Sequence, residues 1–379
     1  MIYINAYDYL NYKNENRYGN ASVASRPLVE YIIDKITKKE ECLDIISVRR
    51  NMSGKGFYPE RTTQYNPHTT LTLPPSYGSK NRIKNCIDLI RVNIWLFKKL
   101  LKKTHKDEIV LGYHKRSIMI PILLAKKIKK FKFVLEVAEI FSDVYSNNCL
   151  IRAFERYYLS KVDKFIFSSK GLNKIINRNN KPHIYLYGNY SSVSFNDTYI
   201  KNEKKKIVYA GKLETIKGIY NVLEACQYLD DSYEMHILGY GDECVIRQLT
   251  DYIKKNEKNN MCKVSYDGIL YGEDYKSFLQ SCSLGVCCQD SNSNWNTTSF
   301  PSKILSYLSN GLPVVSSNIE SVLNSPFKAF ISFYDDDNAK TIANAIINSS
   351  DCNREDLKKL FEVLDVEFEE ALWRLLEIK

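Results

Sequence analysis

The chain has ten cysteines scattered from Cys42 to Cys352, with no Cys-x-x-Cys pair and no histidine-rich neighbour. That excludes a disulfide framework and a zinc site of ordinary spacing, and a reducing cytoplasm suits such thiols. No positively charged segment leading into an apolar stretch opens the sequence. Its longest apolar run, around Ile118 to Ala125, is far below the roughly 20 residues that span a bilayer. Neither export nor membrane insertion is expected. A repeat of solenoid length is also missing, as are a recognised nucleic-acid module and a third glycine that would complete a dinucleotide fingerprint after Gly239 and Gly241.

What is present suits a two-domain α/β protein. At 379 residues the chain is long for one core, and its 44% hydrophobic content supplies apolar surface for two. The net charge of +10 is divided: residues 1–195 carry 34 Lys+Arg against 16 Asp+Glu, the remainder 20 against 28. The first part therefore favours an anionic surface. Short β-type runs such as "CLDIISV", "EIVLGYH" and "KFVLEVA" alternate with helical stretches such as "SIMIPILLAKKIKK", the pattern of a parallel sheet. After the polar, turn-rich "YGNYSSVSFNDTYIKNEKKK" the alternation resumes with "KIVYAG", "YEMHILG", "KVSYDG", "LGVCCQ" and "PVVSS". The expected division is 1–195, 196–352 and a C-terminal helix over 353–379, acidic, with Leu357, Leu360, Leu364, Leu372, Trp373 and Leu376 on one face and possibly packing back on the N-terminal domain.

Two stretches of the second half bear on chemistry. "KIVYAGKLETIKGIYNVL" reads as a strand, a loop carrying Lys212 and Lys217 between Gly211 and Gly218, and a helix. Glycine allows close backbone approach, and ammonium groups beside a helix start make a phosphate cradle; the plain alternative is a βα turn with solvated lysines. In "SFPSKILSYLSNGLPVV", Ser299 suits an N-cap, Pro301 the first turn and Gly311 the stop, with the helix carried to Asn310. Hydroxyls and Lys303 at that helix start make a second anion site. Parallel topology brings both loops to one sheet edge, where they can grip one diphosphate.

The ordered motifs Gly211-Lys212-Leu213, Lys217-Gly218, "ILGYG", "YDGIL" and "FPSKILSYLSNGLPVVSS" over about 205–345 resemble the nucleotide-sugar half of GT-B glycosyltransferases, especially the bacterial family-four-like enzymes that build surface polysaccharides such as capsule and O-antigen. The resemblance implies an α/β, GT-B fold of two Rossmann-like domains facing across a cleft. It implies that Lys212, Lys217, Ser302 and Lys303 contact the donor phosphates, while Gly239 and the Gly268, Ile269 and Leu270 backbone flank the base. Many relatives carry two glutamates eight positions apart in this region, where this chain has Thr298 and Ser306. Ser306 can still hydrogen-bond a ribose hydroxyl, more weakly than a carboxylate.

In the first half, the loop of "NRYGNASVASRPLVEYI" makes Gly19 and Asn20 candidates to face the donor or acceptor, against a plain surface loop. "EVAEIFSDV" sets Glu136, Glu139 and Asp143 at a strand end, where an inverting transferase needs a base for the acceptor hydroxyl. Glu139 is the first candidate and Asp143 the second. His114 in "LGYHKR" is the third, with a structural histidine as the alternative. "NRIKNCIDLIRVNIWLFKKLLKKTHK" is a basic helix with aromatic residues suited to an anionic membrane, or packed on its own sheet with solvated lysines.

The expected activity is metal-independent transfer of a sugar, hexosyl or related, from a nucleotide donor, most simply a UDP-sugar, to a lipid-linked oligosaccharide. The protein would be cytoplasmic and peripheral on the inner face of the plasma membrane. No cofactor, metal or nucleic acid is expected, since lysines and helix starts can neutralise the diphosphate and no Asp-x-Asp motif stands at the site. The alternatives are a nucleotide-sugar epimerase of similar fold and a basic nucleic-acid-binding protein.

Overall fold

The computed structural model describes residues 1–7, 25–39, 41–50, 56–79, 81–145, 148–191, 193, 195, 203–213, 218–258, 261–289 and 296–378. The chain divides into two compact units. Unit 1 holds Met1–Ser168, Leu172–Asn189 and Val366–Lys379; unit 2 holds Ser169–Gly171 and Tyr190–Asp365.

Unit 1 is built on strands β1 (Ile2–Asn5), β2 (Leu43–Ser47), β3 (Phe57–Tyr58), β4 (Arg61–Asn66), β5 (Thr69–Leu73), β6 (Ser76–Tyr77), β7 (Ile109–Tyr113), β8 (Lys132–Val137), β9 (Lys164–Phe167) and β10 (His183–Tyr185). Eight of these form one sheet in the order β10-β9-β8-β7-β1-β2-β5-β4, while β3 and β6 pair separately. Every pairing in the large sheet is parallel except β4 with β5. The central strands are buried on both faces, so Ile2, Ile4, Val110, Phe133, Leu135 and Phe165 read as near-continuous apolar runs. The Arg82–Lys103 helix turns Asp88, Val92, Leu96 and Leu100 inward, a four-residue spacing that keeps one helical face on the sheet. Asn81 caps it, its side chain accepting from the Ile83 and Lys84 N–H groups.

The last residues of the chain complete this unit. In the Arg354–Leu376 helix Phe368 stacks on Tyr31 with ring centroids 5.5 Å apart, and the buried Glu369 accepts from Lys35 Nζ at 2.8 Å. Trp373 Nε1 donates to the Lys35 carbonyl at 2.8 Å, and Glu377 pairs with Lys132 and Lys164.

Unit 2 carries β11 (Lys205–Lys212), β12 (Tyr233–Tyr240), β13 (Lys263–Gly268), β14 (Leu284–Cys287), β15 (Val314–Ser317) and β16 (Ile331–Tyr334), wholly parallel in the order β13-β12-β11-β14-β15-β16. Three strands run outward from β11 on one side and three on the other from β14, the doubly wound arrangement of a Rossmann sheet. Tyr209, Ile237, Val286 and Val315 lie in its core.

Candidate functional site

In an open parallel sheet a crevice forms at the carboxyl ends where the strand order reverses, which in unit 2 is between β11 and β14. Gly211 lies near the end of β11 and pairs in register with Gly239 at the end of β12. Both have positive φ, and a methyl group added at Gly239 would come within 1.9 Å of the Gly211 carbonyl oxygen, so the two strand ends close up only with glycine there. A methyl at Gly218, where the next helix starts, would meet the Cys288 carbonyl at 1.6 Å. Backbone from three strand ends is thereby gathered at one place. Tyr266 Oη donates to the Gly239 carbonyl at 3.0 Å, tying this turn to β13.

The Ser302–Leu308 helix is fixed to the same edge by Tyr307. Its hydroxyl accepts from the Ala210 N–H at 2.7 Å, and its ring fills the space where Gly285 has no side chain. Lys303, one turn earlier on the same helical face, consequently lies over β11: its Nζ is 3.7 Å from the Tyr209 ring centroid, a cation–π contact. Its Cε is 3.6 Å from where a Cβ of Gly211 would stand. Burial works against the Lys303 ammonium, but Tyr209 and Cys287 outweigh it and hold the pKa above the ordinary lysine value. Among the described residues no carboxylate pairs with it. The arrangement is a permanent cation beside glycine backbone at a strand reversal, which can neutralise a diphosphate.

Ser299 does not cap this helix. Helical geometry begins at Ser302 with Pro301 in the cap position and no side-chain cap, because proline fixes its own φ and its extended ψ of 111° holds the chain straight up to it. The Ser299 carbonyl instead accepts from Ser321 Oγ at 2.7 Å. The helix ends at Leu308, short of Asn310, and Gly311 closes the turn with φ 73°. Ser302 is exposed at the helix start, and Ser306 Oγ lies 3.0 Å from Tyr275 Oη. Lys212 is exposed at the end of β11; Gly268 closes β13, followed by the exposed Ile269 and the half-buried Leu270. Gly19, Asn20 and Lys217 lie outside the described residues.

In unit 1, Glu139 is half-buried just beyond β8 and Asp143 stands in the short Phe141–Tyr145 helix. His114 is 1% exposed and braced on both ring nitrogens: Nδ1 lies 3.0 Å from the Glu139 carbonyl, while Nε2 meets Tyr158 Oη and lies 3.3 Å from Glu155 Oε1. Glu155 also accepts from the Phe141 and Ser142 N–H groups at 3.0 and 2.8 Å. Burial alone would raise the Glu155 pKa, but hydrogen bonds from His114 and Ser142 hold it down at about 2. His114 thus braces the segment that carries Glu139 and Asp143, the structural alternative weighed from the sequence. Glu136, within β8, is buried; it accepts from Tyr3 Oη at 2.7 Å, and its Oε1 has no hydrogen-bond partner. Glu155, Tyr158 and Tyr307 were not singled out from the sequence. The Glu155/Tyr158 spacing on one helical face was the available signal for the first two.

Residues 192–360 match the family model described as glycosyl transferases group 1. No curated protein sequence matches the chain. Among solved structures, an α,α-trehalose 6-phosphate synthase from Burkholderia multivorans is similar with a TM-score of 0.65 at 8% identity, over 98% of this chain and 94% of that one. The Anabaena protein Alr3699/HepE in complex with UDP and glucose gives a TM-score of 0.62 at 9% identity, over 99% and 97%. A trehalose-phosphate synthase from Burkholderia xenovorans in complex with glucose-6-phosphate gives 0.62 at 11%, over 98% and 97%. Residues 192–360 form a glycosyl transferases group 1 domain, and the chain has the α/β fold of GT-B glycosyltransferases.

Proposed function

We propose that the protein transfers a sugar, hexosyl or related, from a UDP-sugar to a lipid-linked glycan of bacterial surface polysaccharide synthesis. It would work without a metal, at the anionic inner face of the plasma membrane. The observation that carries the reading is Lys303, charged, without a carboxylate partner among the described residues, and set over Gly211 at the strand reversal. A cation fixed where a leaving diphosphate would lie stabilises the charge that develops as the sugar departs. The complex of the Anabaena protein with UDP and glucose supports uridine diphosphate as the carrier. Glu139, with Asp143 second, would take the acceptor proton if transfer inverts; if it retains, the donor phosphate can take it and Glu139 would seat the acceptor.

Two adjacent helices support the membrane. The Arg82–Lys103 helix leaves Ile83, Ile87, Ile90 and Ile94 between 44% and 71% exposed, at spacings that form one outward stripe. The Met119–Lys129 helix packed beside it exposes Ile120, Leu124 and Ile128. Lys84, Arg91, Lys98, Lys102 and Lys127 are exposed on the same pair, a combination that suits an anionic bilayer. Among the described residues no helix is long and apolar enough to cross a membrane.

The test is incubation with labelled nucleotide sugars and lipid-linked acceptors. Label reaching an acceptor is the expected result, with Glu139→Gln slowing an inverting transfer by roughly 10²- to 10⁴-fold while UDP binding survives. Conversion of the nucleotide sugar without any acceptor would mark an epimerase instead, and consumption of no donor would refute both.

A further inference from the structure

The strand order of unit 1 also reverses once. From β1 the chain proceeds outward through β2, β5 and β4, and β7 returns to the other side of β1. The carboxyl ends at β1 and β7 are therefore the place where this sheet opens a crevice. The chain segments that leave there carry Arg49 and Arg50 after β2 and Lys115 after β7.

Arg50 is committed to the fold. Its Nη1 donates to the Asn85 carbonyl at 2.7 Å and lies 3.6 Å from the Asp88 carboxylate, which also accepts from Ser76 Oγ and the Tyr77 N–H. The Arg49 N–H donates to Ser47 Oγ at 3.2 Å, holding the chain at the end of β2. Lys115 is different. It is half-buried, it stands close enough to both arginines to feel their charge, and among the described residues no carboxylate pairs with it. Burial, then Arg50, then Arg49 push its ammonium down to about 8. Cations gathered in a partly buried crevice repel one another in the empty protein, and the repulsion turns to attraction when a multivalent anion enters. Guanidinium beside ammonium suits the several oxygens of a phosphate better than a lone carboxylate.

We propose that Lys115 and Arg49 form an anion site at the β1–β7 reversal that holds a phosphate or diphosphate group of the acceptor. The word acceptor rests on the transferase reading above; the site itself does not. The same chemistry could come from the diphosphate of a lipid carrier or from a free sugar phosphate.

The test is calorimetric titration of the intact protein with inorganic pyrophosphate in the presence of saturating UDP, which reads only sites outside the nucleotide cradle. Pyrophosphate is expected to bind, Lys115→Met to weaken it at least tenfold with UDP affinity unchanged, and Lys115→Arg to restore it. Competition by a short polyprenyl diphosphate but not by glucose 6-phosphate would assign the site to a lipid carrier, and the reverse to a free sugar phosphate. Thermal unfolding checks that Lys115→Met is folded. Should it not be, Arg49→Lys, which keeps the charge and removes the planar fork, is expected to weaken binding, and an unchanged affinity there would count against the site. Pyrophosphate that UDP displaces, that Lys303→Ala abolishes and that Lys115→Met leaves untouched would overturn the proposal, as would no binding at all. Failure of the transferase reading is distinguishable, because it leaves pyrophosphate bound while no donor is consumed.

Discussion

Glu136 should make the stability of unit 1 fall as pH rises through neutrality. Its carboxyl is buried within β8, with one oxygen accepting from Tyr3 Oη and the other without a hydrogen-bond partner. Desolvation disfavours the charge more than the Tyr3 bond favours it, and the pKa is pushed from 4.5 up to about 7. The folded state therefore binds the proton more tightly than the unfolded state does. Stability on this account is fully present below about pH 4.5, is lost as pH rises towards 7, and is level above that. A shift of 4.5 to about 7 corresponds to about 3 kcal/mol at 1.36 kcal/mol per unit. Glu136→Gln keeps an acceptor for Tyr3 and never ionises, so the fall should vanish, and the variant should gain about 3 kcal/mol on the wild type between pH 5 and 8. Because the two units need not unfold together, the measurement is amide hydrogen exchange in β1, β7 and β8, variant against wild type at each pH. Carbon NMR of the Glu136 carboxyl reads the titration directly. Parallel stability curves for the two proteins, or a carboxyl titrating near 4.5, would refute the reasoning.

Lys303→Ala should weaken UDP binding by about 1–3 kcal/mol, the worth of a charge-assisted hydrogen bond; unchanged affinity by calorimetry would remove Lys303 from the donor site. Gly239→Ala drives a methyl group to 1.9 Å from the Gly211 carbonyl, so the ends of β11 and β12 must part and UDP binding should be lost even where circular dichroism shows a folded protein. The double variant Ile90→Ser, Leu124→Ser should sediment with phosphatidylglycerol vesicles less than the wild type does, and high salt should release both. Equal wild-type binding to neutral vesicles would count against a charged membrane face.

The second half was more legible in the sequence than the first, for a physical reason. Its strands are short apolar runs ending in Gly211, Gly239 and Gly268, so strand end and close backbone approach are marked by the same residue. Lys303 stood out because proline and serine announce a helix start just ahead of it. What the sequence hid was Tyr307: an aromatic in an apolar helix looks like core, and only the register against Ala210 reveals that its hydroxyl sets the reach of Lys303. Ser299 misled, since serine two residues before a proline satisfies every local rule for a cap while its carbonyl is taken by Ser321. In the first half, Glu139 and Asp143 were visible from their place after a strand, but the brace beneath them joins His114 to Glu155 across 41 positions of chain, beyond any local pattern. The Arg82–Lys103 helix proved apolar on two faces, which periodicity alone blurs into one.

Unit 1 is not a contiguous stretch of sequence. Lys35 meets its carboxylate only in Glu369, Tyr31 its stacking partner only in Phe368, and the bases of β8 and β9 their counter-ion only in Glu377. During synthesis the strands of this unit leave the ribosome first, yet they wait through the translation of all of unit 2 for the segment that finishes them. A chain cut short at Asn189 would keep every strand of the sheet and expose the side of it that Phe368 and Leu372 cover. The natural unit for expression, domain exchange or permutation is therefore the whole circuit, outward through unit 2 and back.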